Sequence, residues 1–395
     1  MRFLIVTPMF APAFVYGGPP RSSLGLAKGL QACGHSVAVI TSNGNGSVNL
    51  SDVVPDQWTT YEGVSVIYLR RVGNGSYHWA PGLGAELMRC VAGYDIAILR
   101  ATWTYFNWRS ASLLHKVRKP YLQYALGTFD SWALKHHHGR KRLYWLIAER
   151  WVYKRATGII ALSESEVLQI RGMRLDRPIG IIPNGVDFDE LDQETPPIGA
   201  IYPELDGRRF ILYMGRLHQK KGIERLMEAF AAVQARHSDA VLVIAGAGEG
   251  SYETALSALV ERYGLNKRVV MTGFVSGIRR VALLRSAYVH VLPSLSEGLP
   301  MSALEAMACG TPVIVTPQCY LPEVQAEGAG LVVENDPVTL AQAMIQLLDA
   351  PDLRSHMAER AYRLARQHYS WRSAAEKVAS FAARVMGAQV SPQEE

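Results

Sequence analysis

Short apolar runs recur along the chain with the rhythm of buried parallel strands. Phe3-Leu-Ile-Val6 opens the series, and Ser36–Thr41, Val64–Leu69, Ile96–Leu99, Pro120–Tyr124, Gly158–Leu162 and the run from Ile179 continue it. Each run is bounded by glycine, proline or polar clusters, and helical periodicity fills intervals between them. Leu24, Leu26, Ala27 and Leu30 recur at helical spacing from Pro20 to Ala32, and Gly34 stops them. Strand, glycine-bearing loop (Tyr16-Gly-Gly18), helix and strand make a βαβ unit, which implies an α/β fold with a parallel sheet.

The same pattern restarts at Arg209-Phe-Ile-Leu-Tyr213. Strands are expected at Val241–Ala245, Val269–Thr272, Tyr288–Leu292, Val313–Val315 and Gly330–Val333, with helices over 223–235, 283–287, 337–349 and 353–367. Between the two series, residues 191–206 carry Pro196, Pro197, Pro203 and several acids, the composition of a linker. The expected domains are therefore 1–190 and 207–369, with a last amphipathic helix beginning near Tyr369 and a disordered tail at 388–395. The length of 395 residues suits two domains, each with its own core.

Composition narrows the class. A hydrophobic content of 49% with 19% charged residues fits a globular protein, and no apolar run approaches the roughly 18 residues of a membrane span. The start Met1-Arg-Phe-Leu-Ile-Val6, followed by Ala11-Pro-Ala13, imitates a signal peptide, but its apolar run is four residues, Pro8 and Pro12 break it and residues 209–213 repeat it mid-chain, so a cytoplasmic protein is expected. Cys33, Cys90, Cys309 and Cys319 have no metal-ligand spacing and read as small buried hydrophobes. A net charge of +6 suits an anionic ligand or membrane surface, and no nucleic-acid motif accompanies it.

Candidate chemistry concentrates in one stretch, Ser294-Leu-Ser-Glu-Gly-Leu-Pro-Met-Ser-Ala-Leu-Glu-Ala-Met-Ala-Cys-Gly-Thr-Pro-Val-Ile-Val-Thr316. It predicts a loop, a helix over Met301–Ala308 with Pro300 in its first turn, a stop at Gly310 and Pro312, and a buried strand. A helix start attracts phosphate, and Glu297 and Glu305 can accept hydrogen bonds from vicinal hydroxyls. Earlier, Gly215-Arg-Leu-His-Gln-Lys-Lys-Gly222 places Arg216 and Lys221 in a loop directly after a strand, where both could reach one diphosphate. Val241-Leu-Val-Ile-Ala-Gly-Ala-Gly-Glu-Gly250 imitates a dinucleotide fingerprint, but its glycine spacing differs and no acid ends the next strand, so NAD is not expected.

The spacing of Glu297 and Glu305, with Glu305-Ala-Met-Ala-Cys-Gly-Thr-Pro-Val-Ile314 behind it, resembles the E-x7-E signature of retaining glycosyltransferases with two Rossmann-like domains, the GT-B fold of family 4 type. Gly-Arg-x4-Lys-Gly at 215–222 and Ile-Pro-Asn-Gly-Val-Asp at 182–187 match the same family. The resemblance implies two Rossmann-like domains facing across a cleft, with the C-terminal helix (about 370–387) crossing back to the first. It implies that Glu297 and the backbone of Gly298, Leu299, Pro300 and Met301 hold the donor sugar, and that Glu305 holds the nucleotide's ribose. Arg216 and Lys221 would grip the diphosphate, Gly17 and Gly18 would lie over it, Gly246 in the glycine turn would also bind the donor, and Phe274 and Val275 would place backbone near the base. Tyr16 and Trp132 are acceptor-side candidates.

One position departs from the family. Many members carry His or Arg before the glycine of the loop at 125–127, where this chain has Leu126, which cannot hydrogen-bond a sugar. Asp130, just after that loop, is a candidate to take part of the role, although an aspartate after a strand is more often a helix N-cap. The basic run Lys135-His-His-His-Gly-Arg-Lys-Arg142 leads into an aromatic segment to Arg155 that reads either as a core helix or as a peripheral membrane contact; its adjacent histidines lack the spacing of a metal site.

The expected activity is retaining transfer of a sugar from a nucleotide-sugar donor to a glycan or lipid-linked acceptor in bacterial cell-surface polysaccharide synthesis, with no cofactor and no obligatory metal. Two alternatives differ in kind. A non-catalytic sugar-nucleotide-binding partner would fit Leu126, and a glycosidase would use Glu297 and Glu305 as its carboxylate pair.

Overall fold

The computed structural model describes residues 1–73, 75, 77–129, 144–248 and 250–390, with the side chains of 146 and 388–390 left aside. The described chain forms two compact units. The first comprises Met1–Gly185 and Trp371–Glu395, and the second comprises Val186–Ser370.

The first unit holds strands β1 (Arg2–Val6), β2 (Ser36–Ser42), β3 (Gly44–Asn45), β4 (Val48–Asn49), β5 (Trp58–Tyr61), β6 (Val64–Leu69), β7 (Ile96–Leu99), β8 (Tyr121–Tyr124), β9 (Gly158–Ala161) and β10 (Ile179–Ile181). Eight of them make one sheet in the order β10-β9-β8-β7-β1-β2-β6-β5. Every pairing is parallel except β5 with β6. The apolar runs are continuous rather than alternating because both faces of the parallel strands are covered, so Phe3, Leu4, Ile5 and Ile98 are all inaccessible to water. The helix Gly18–Ala32 follows β1 by way of a short turn at Phe14–Tyr16.

Two further elements form between β2 and β6, in a stretch without a strand-length apolar run. β3 and β4 form a small hairpin, and the threonine-rich β5 adds an antiparallel edge to the sheet. Thr59 and Thr60 are both exposed, and because successive side chains point to opposite faces, water reaches both sides of this edge strand there. The helix Trp371–Val390 belongs to this unit, extends into the stretch expected as tail, and packs on the helix Gly18–Ala32.

The second unit holds β11 (Phe210–Met214), β12 (Val241–Ala245), β13 (Val269–Gly273), β14 (Val289–Leu292), β15 (Val313–Val315) and β16 (Gly330–Val332), all parallel, in the order β13-β12-β11-β14-β15-β16. Residues of the expected linker carry the short helix Ile198–Ile201 and a turn at Pro203–Leu205, whose Leu205 is fully buried. Both units are thus Rossmann-like, with helices covering a parallel sheet.

Among the described residues no helix is long and apolar enough to cross a membrane. The cysteines correct one expectation. All four are free thiols, but only Cys319 is fully buried, while Cys33, Cys90 and Cys309 are half-buried.

Candidate active site

In the second unit the strand order reverses direction at β11. The chain moves outward to β12 and β13 on one side, then returns to β14 on the other. Open α/β sheets bind ligands at such a switch point, beyond the carboxyl ends of the strands. The two loops that leave this point are Gly215–Gly222 after β11 and Pro293–Pro300 after β14, the two stretches richest in candidate chemistry.

The loops are stitched together. Leu295 N–H donates to the Lys220 carbonyl at 2.7 Å, and Thr316 Oγ1 donates to the Ser294 carbonyl at 2.6 Å. Gly222 adopts φ +67°, and a Cβ there would lie 2.2 Å from the Pro293 carbonyl oxygen, so only glycine lets the loops approach this closely. Lys221 Nζ then forms an ion pair with Glu297 Oε1, and the Ser294 hydroxyl donates to the same oxygen at 2.7 Å. The Glu297 N–H donates to the Gln318 carbonyl. Burial alone would raise the Glu297 pKa. The nearby charges of Lys221 and Lys220 and the hydrogen bonds from Lys221 and Ser294 outweigh it and hold the carboxyl below its ordinary range.

Pro300 caps the helix Met301–Ala308 rather than occupying its first turn, and it makes no side-chain capping bond. Leu299 is buried, Gly298 and Met301 are half-buried, and the helix stops at Gly310 with φ +73°. Glu305 lies inside the helix and pairs with Arg280, whose Nη1 is 2.5 Å from Glu305 Oε2. Arg280 also holds Glu190 at 2.7 Å. Sequence reasoning missed Arg280 and Glu190 because their partners stand far apart in the chain and no spacing signals them.

The remaining candidates of this unit surround the same carboxyl edge. Arg216 is exposed, and its carbonyl accepts from the Tyr213 hydroxyl at 3.0 Å. Gly246 packs against the β11 loop so closely that a Cβ would lie 1.8 Å from the Gly215 carbonyl oxygen. Phe274 follows β13 with its ring exposed, whereas Val275 is buried.

In the first unit Tyr16 ends the turn after β1, and its ring packs on His78 with centroids 5.4 Å apart. Gly17 has φ +79° and open space where a Cβ would stand. Gly18 is the first residue of the following helix rather than part of the loop. Beneath that helix lies a buried residue that sequence reasoning also missed. Arg100, immediately after β7, donates to Ser22 Oγ at 3.0 Å and Ser23 Oγ at 3.3 Å, with its guanidinium 4.1 Å from the Tyr124 ring centroid. It fastens the helix start to the sheet at this unit's own switch point.

Leu126 adopts φ +54° and Gly127 φ +73° after β8. The Glu166 carboxylate accepts from the N–H groups of Gly127 and Leu162, which fixes the turn. Burial outweighs those two hydrogen bonds and pushes the Glu166 pKa up to about 7. Asp130, Trp132 and the basic run 135–142 lie outside the described residues. Among the described residues no group of His, Cys, Asp and Glu could hold a metal ion.

Comparisons with known proteins agree with this architecture. The family described as Glycosyltransferase Family 4 matches residues 16–190, and that described as Glycosyl transferases group 1 matches residues 198–364. An uncharacterised glycosyltransferase of Methanocaldococcus jannaschii is 30% identical over 94% of this chain and 95% of its own. A glycogen synthase of Mycobacterium tuberculosis is 27% identical over 95% of this chain and 92% of its own. The chain therefore belongs to the GT-B glycosyltransferases of family 4 type. Among solved structures, Anabaena HepE in complex with UDP and glucose has the same fold, with a TM-score of 0.77 at 19% identity over 97% of this chain and all of that one. Sucrose-phosphate synthase from Thermosynechococcus elongatus superposes with a TM-score of 0.74 at 22% identity, covering 98% of this chain and all of that one.

Proposed function

We propose that this glycosyltransferase moves a sugar from a nucleoside-diphosphate donor to a glycan or lipid-linked acceptor with retention at the anomeric carbon. The observation that carries the reading is the Lys221–Glu297 pair at the switch point of the second unit. It holds together a cation that can meet the donor's phosphate and a carboxylate that can orient sugar hydroxyls. HepE, which shares the fold, was solved with UDP and glucose, which supports a donor of that chemistry.

On this reading Arg216, Lys221 and the amides at the start of the helix Met301–Ala308 receive the diphosphate. They supply preorganised positive charge where the leaving group gains negative charge. Glu297 and the backbone of Gly298, Leu299 and Pro300 orient the sugar, Glu305 receives the ribose, and the backbone at Phe274 and Val275 lies at the base. The first unit receives the acceptor. No protein nucleophile is assigned. The acceptor attacks on the face from which the phosphate departs, and the leaving phosphate takes its proton, so no metal is required. The expected setting is cytoplasmic, at the inner face of a membrane where cell-surface polysaccharide is built.

A glycosidase acid would need a carboxyl with a raised pKa. Glu297 is held low by Lys221 and Glu305 is paired with Arg280, which disfavours that alternative. A binding partner without turnover is favoured by one observation only, the apolar Leu126 at φ +54° where many relatives carry a polar side chain.

Thermal-shift measurements with UDP-, GDP-, ADP- and dTDP-sugars test the reading, with Arg216→Ala in parallel. One nucleotide class should raise Tm in the wild type and not in the variant. Turnover with that donor, unchanged by EDTA and giving a product of retained anomeric configuration, completes the test. Hydrolysis of free oligosaccharides without any nucleotide response would sink it. Binding without turnover of any acceptor would favour the non-catalytic alternative.

A further inference from the structure

Arg280 occupies an unusual place for a cation. It lies in the helix Gly277–Ser286 with its side chain only 5% exposed, between the carboxylates of Glu305 and Glu190. The guanidinium is buried and Glu305 nearly so, whereas the Glu190 side chain is 32% exposed, so Arg280 bridges an inner carboxylate to one that water reaches. Burial would lower the Arg280 pKa, but the two carboxylates outweigh it and raise it further, so the cation stays charged. Its Nε makes no hydrogen bond among the described residues. The contact to Glu305 is an ion pair, with Nη1 2.5 Å from Oε2.

The consequence falls on the other oxygen of Glu305. Oε2 faces the guanidinium, whereas Oε1 accepts no hydrogen bond among the described residues. A carboxylate oxygen has two lone pairs, enough for two neighbouring hydroxyls. We propose that Arg280 is a positioning residue for donor recognition. It clamps one oxygen of Glu305, presents the other to the 2′ and 3′ hydroxyls of the nucleotide, and makes the site selective for ribonucleotides. Glu190 holds the second arm of the guanidinium, so that Arg280 cannot swing away from the helix Met301–Ala308. This inference rests on the reading of Glu305 as the ribose acceptor.

Without the clamp, the Glu305 carboxylate would be half-desolvated with no counter-charge. It would be free to rotate or take a proton, and either loses the charge-assisted bonds that distinguish a diol from its absence. The affinity for phosphate need not change, because the phosphate-gripping residues lie on other loops.

Isothermal calorimetry tests this with UDP, GDP and ADP, each against its 2′,3′-dideoxy counterpart, and with inorganic pyrophosphate. The wild type should prefer the ribonucleotide that it binds by about tenfold or more over its dideoxy form. In Arg280→Gln that preference should fall to within about threefold, with pyrophosphate affinity unchanged, and Glu190→Gln should lie between the two. A general structural defect would weaken pyrophosphate as well, and Arg280→Lys, which keeps the charge but not the fork, serves if Arg280→Gln does not fold. No ribose preference in the wild type would remove the reading of Glu305 and this inference with it. A preference that disappears in Glu305→Gln yet survives in both Arg280 variants would overturn the inference and leave the reading of Glu305 standing.

Discussion

Lys221 and Glu297 are ion-paired with each other, one from the loop after β11 and the other from the loop after β14. Their side chains are 14% and 9% exposed, so the pair is nearly dry and its partners depend on each other. Breaking a buried pair leaves an uncompensated charge and costs about 3 kcal/mol. Lys221→Ala should therefore lower the Tm of the second unit by on the order of 10 °C, even with no donor present. The double variant Lys221→Ala/Glu297→Gln should be more stable than Lys221→Ala alone, since it removes the stranded carboxylate. Differential scanning calorimetry of the variants checks both. If Lys221→Ala melts like the wild type, the pair is not the buried lock described above.

Two glycines that look alike in the sequence should behave differently. Gly17 and Gly222 both have positive φ, +79° and +67°, and both precede a helix. Around Gly17, which has ψ −124°, a Cβ meets open space, so Gly17→Ala carries only backbone strain of about 1–3 kcal/mol. At Gly222 the same carbon would stand 2.2 Å from the Pro293 carbonyl, which adds a clash with backbone that cannot move aside. Gly222→Ala should be destabilised by about 3 kcal/mol or more and should spread the two loops of the candidate site. Urea unfolding midpoints of the two variants give the comparison, and equal costs would contradict it.

The readability of the sequence follows the range of the interactions involved. The β11 strand and its basic loop were legible because hydrophobic run, glycine and cations are consecutive. The helix Met301–Ala308 and its stop at Gly310 were legible for the same reason. The edge strand β5 was not, because Trp58-Thr-Thr-Tyr61 lacks the apolar run of its neighbours and gains its identity only by pairing with β6. Arg280 gave no local sign either. Its meaning depends on Glu190 and Glu305, which the chain brings together only on folding. The backbone at Leu126 is a third case. The side chain reads as an apolar departure, while the left-handed turn under it is held by Glu166 from the helix Glu164–Gly172.

Two buried acids should give the first unit an unusual pH response. Burial pushes Glu149 up to about 8 and Glu166 up to about 7, although each carboxyl accepts hydrogen bonds. The unfolded chain ionises near the ordinary glutamate value, so between about pH 4.3 and 8 the native state holds more protons than the unfolded state. Stability should then fall as pH rises through that window and level off above it. Glu149→Gln keeps the oxygen that accepts from Asn107 at 2.7 Å but cannot ionise, so its melting temperature should decline less between pH 6 and 8. Calorimetry across that range tests the sign. A wild-type stability that rises with pH over the window, or a slope unchanged in the variant, would refute it.

The returning helix Trp371–Val390 is seated by glycines on the elements that receive it. A Cβ at Gly29 would lie 2.4 Å from the Trp371 carbonyl oxygen, and one at Gly25 would lie 2.2 Å from the Trp371 ring. Phe381 occupies a matching slot over the sheet, where a Cβ at Gly158 would stand 2.7 Å from its ring and one at Gly180 would stand 3.0 Å away. The helix thus docks by removing side chains from its receptor, which trades local chain stiffness for close backbone approach. Phe381→Ala should leave a cavity over β9 and β10 and destabilise the first unit by about 3–5 kcal/mol. Gly29→Leu should expel the helix start instead, because the clash is with backbone. Hydrogen exchange separates the two effects. In Gly29→Leu the amides of 371–378 should lose protection while β9 and β10 keep theirs, whereas Phe381→Ala should loosen both. Full protection of the helix in Gly29→Leu would show that the glycine contact does not hold it.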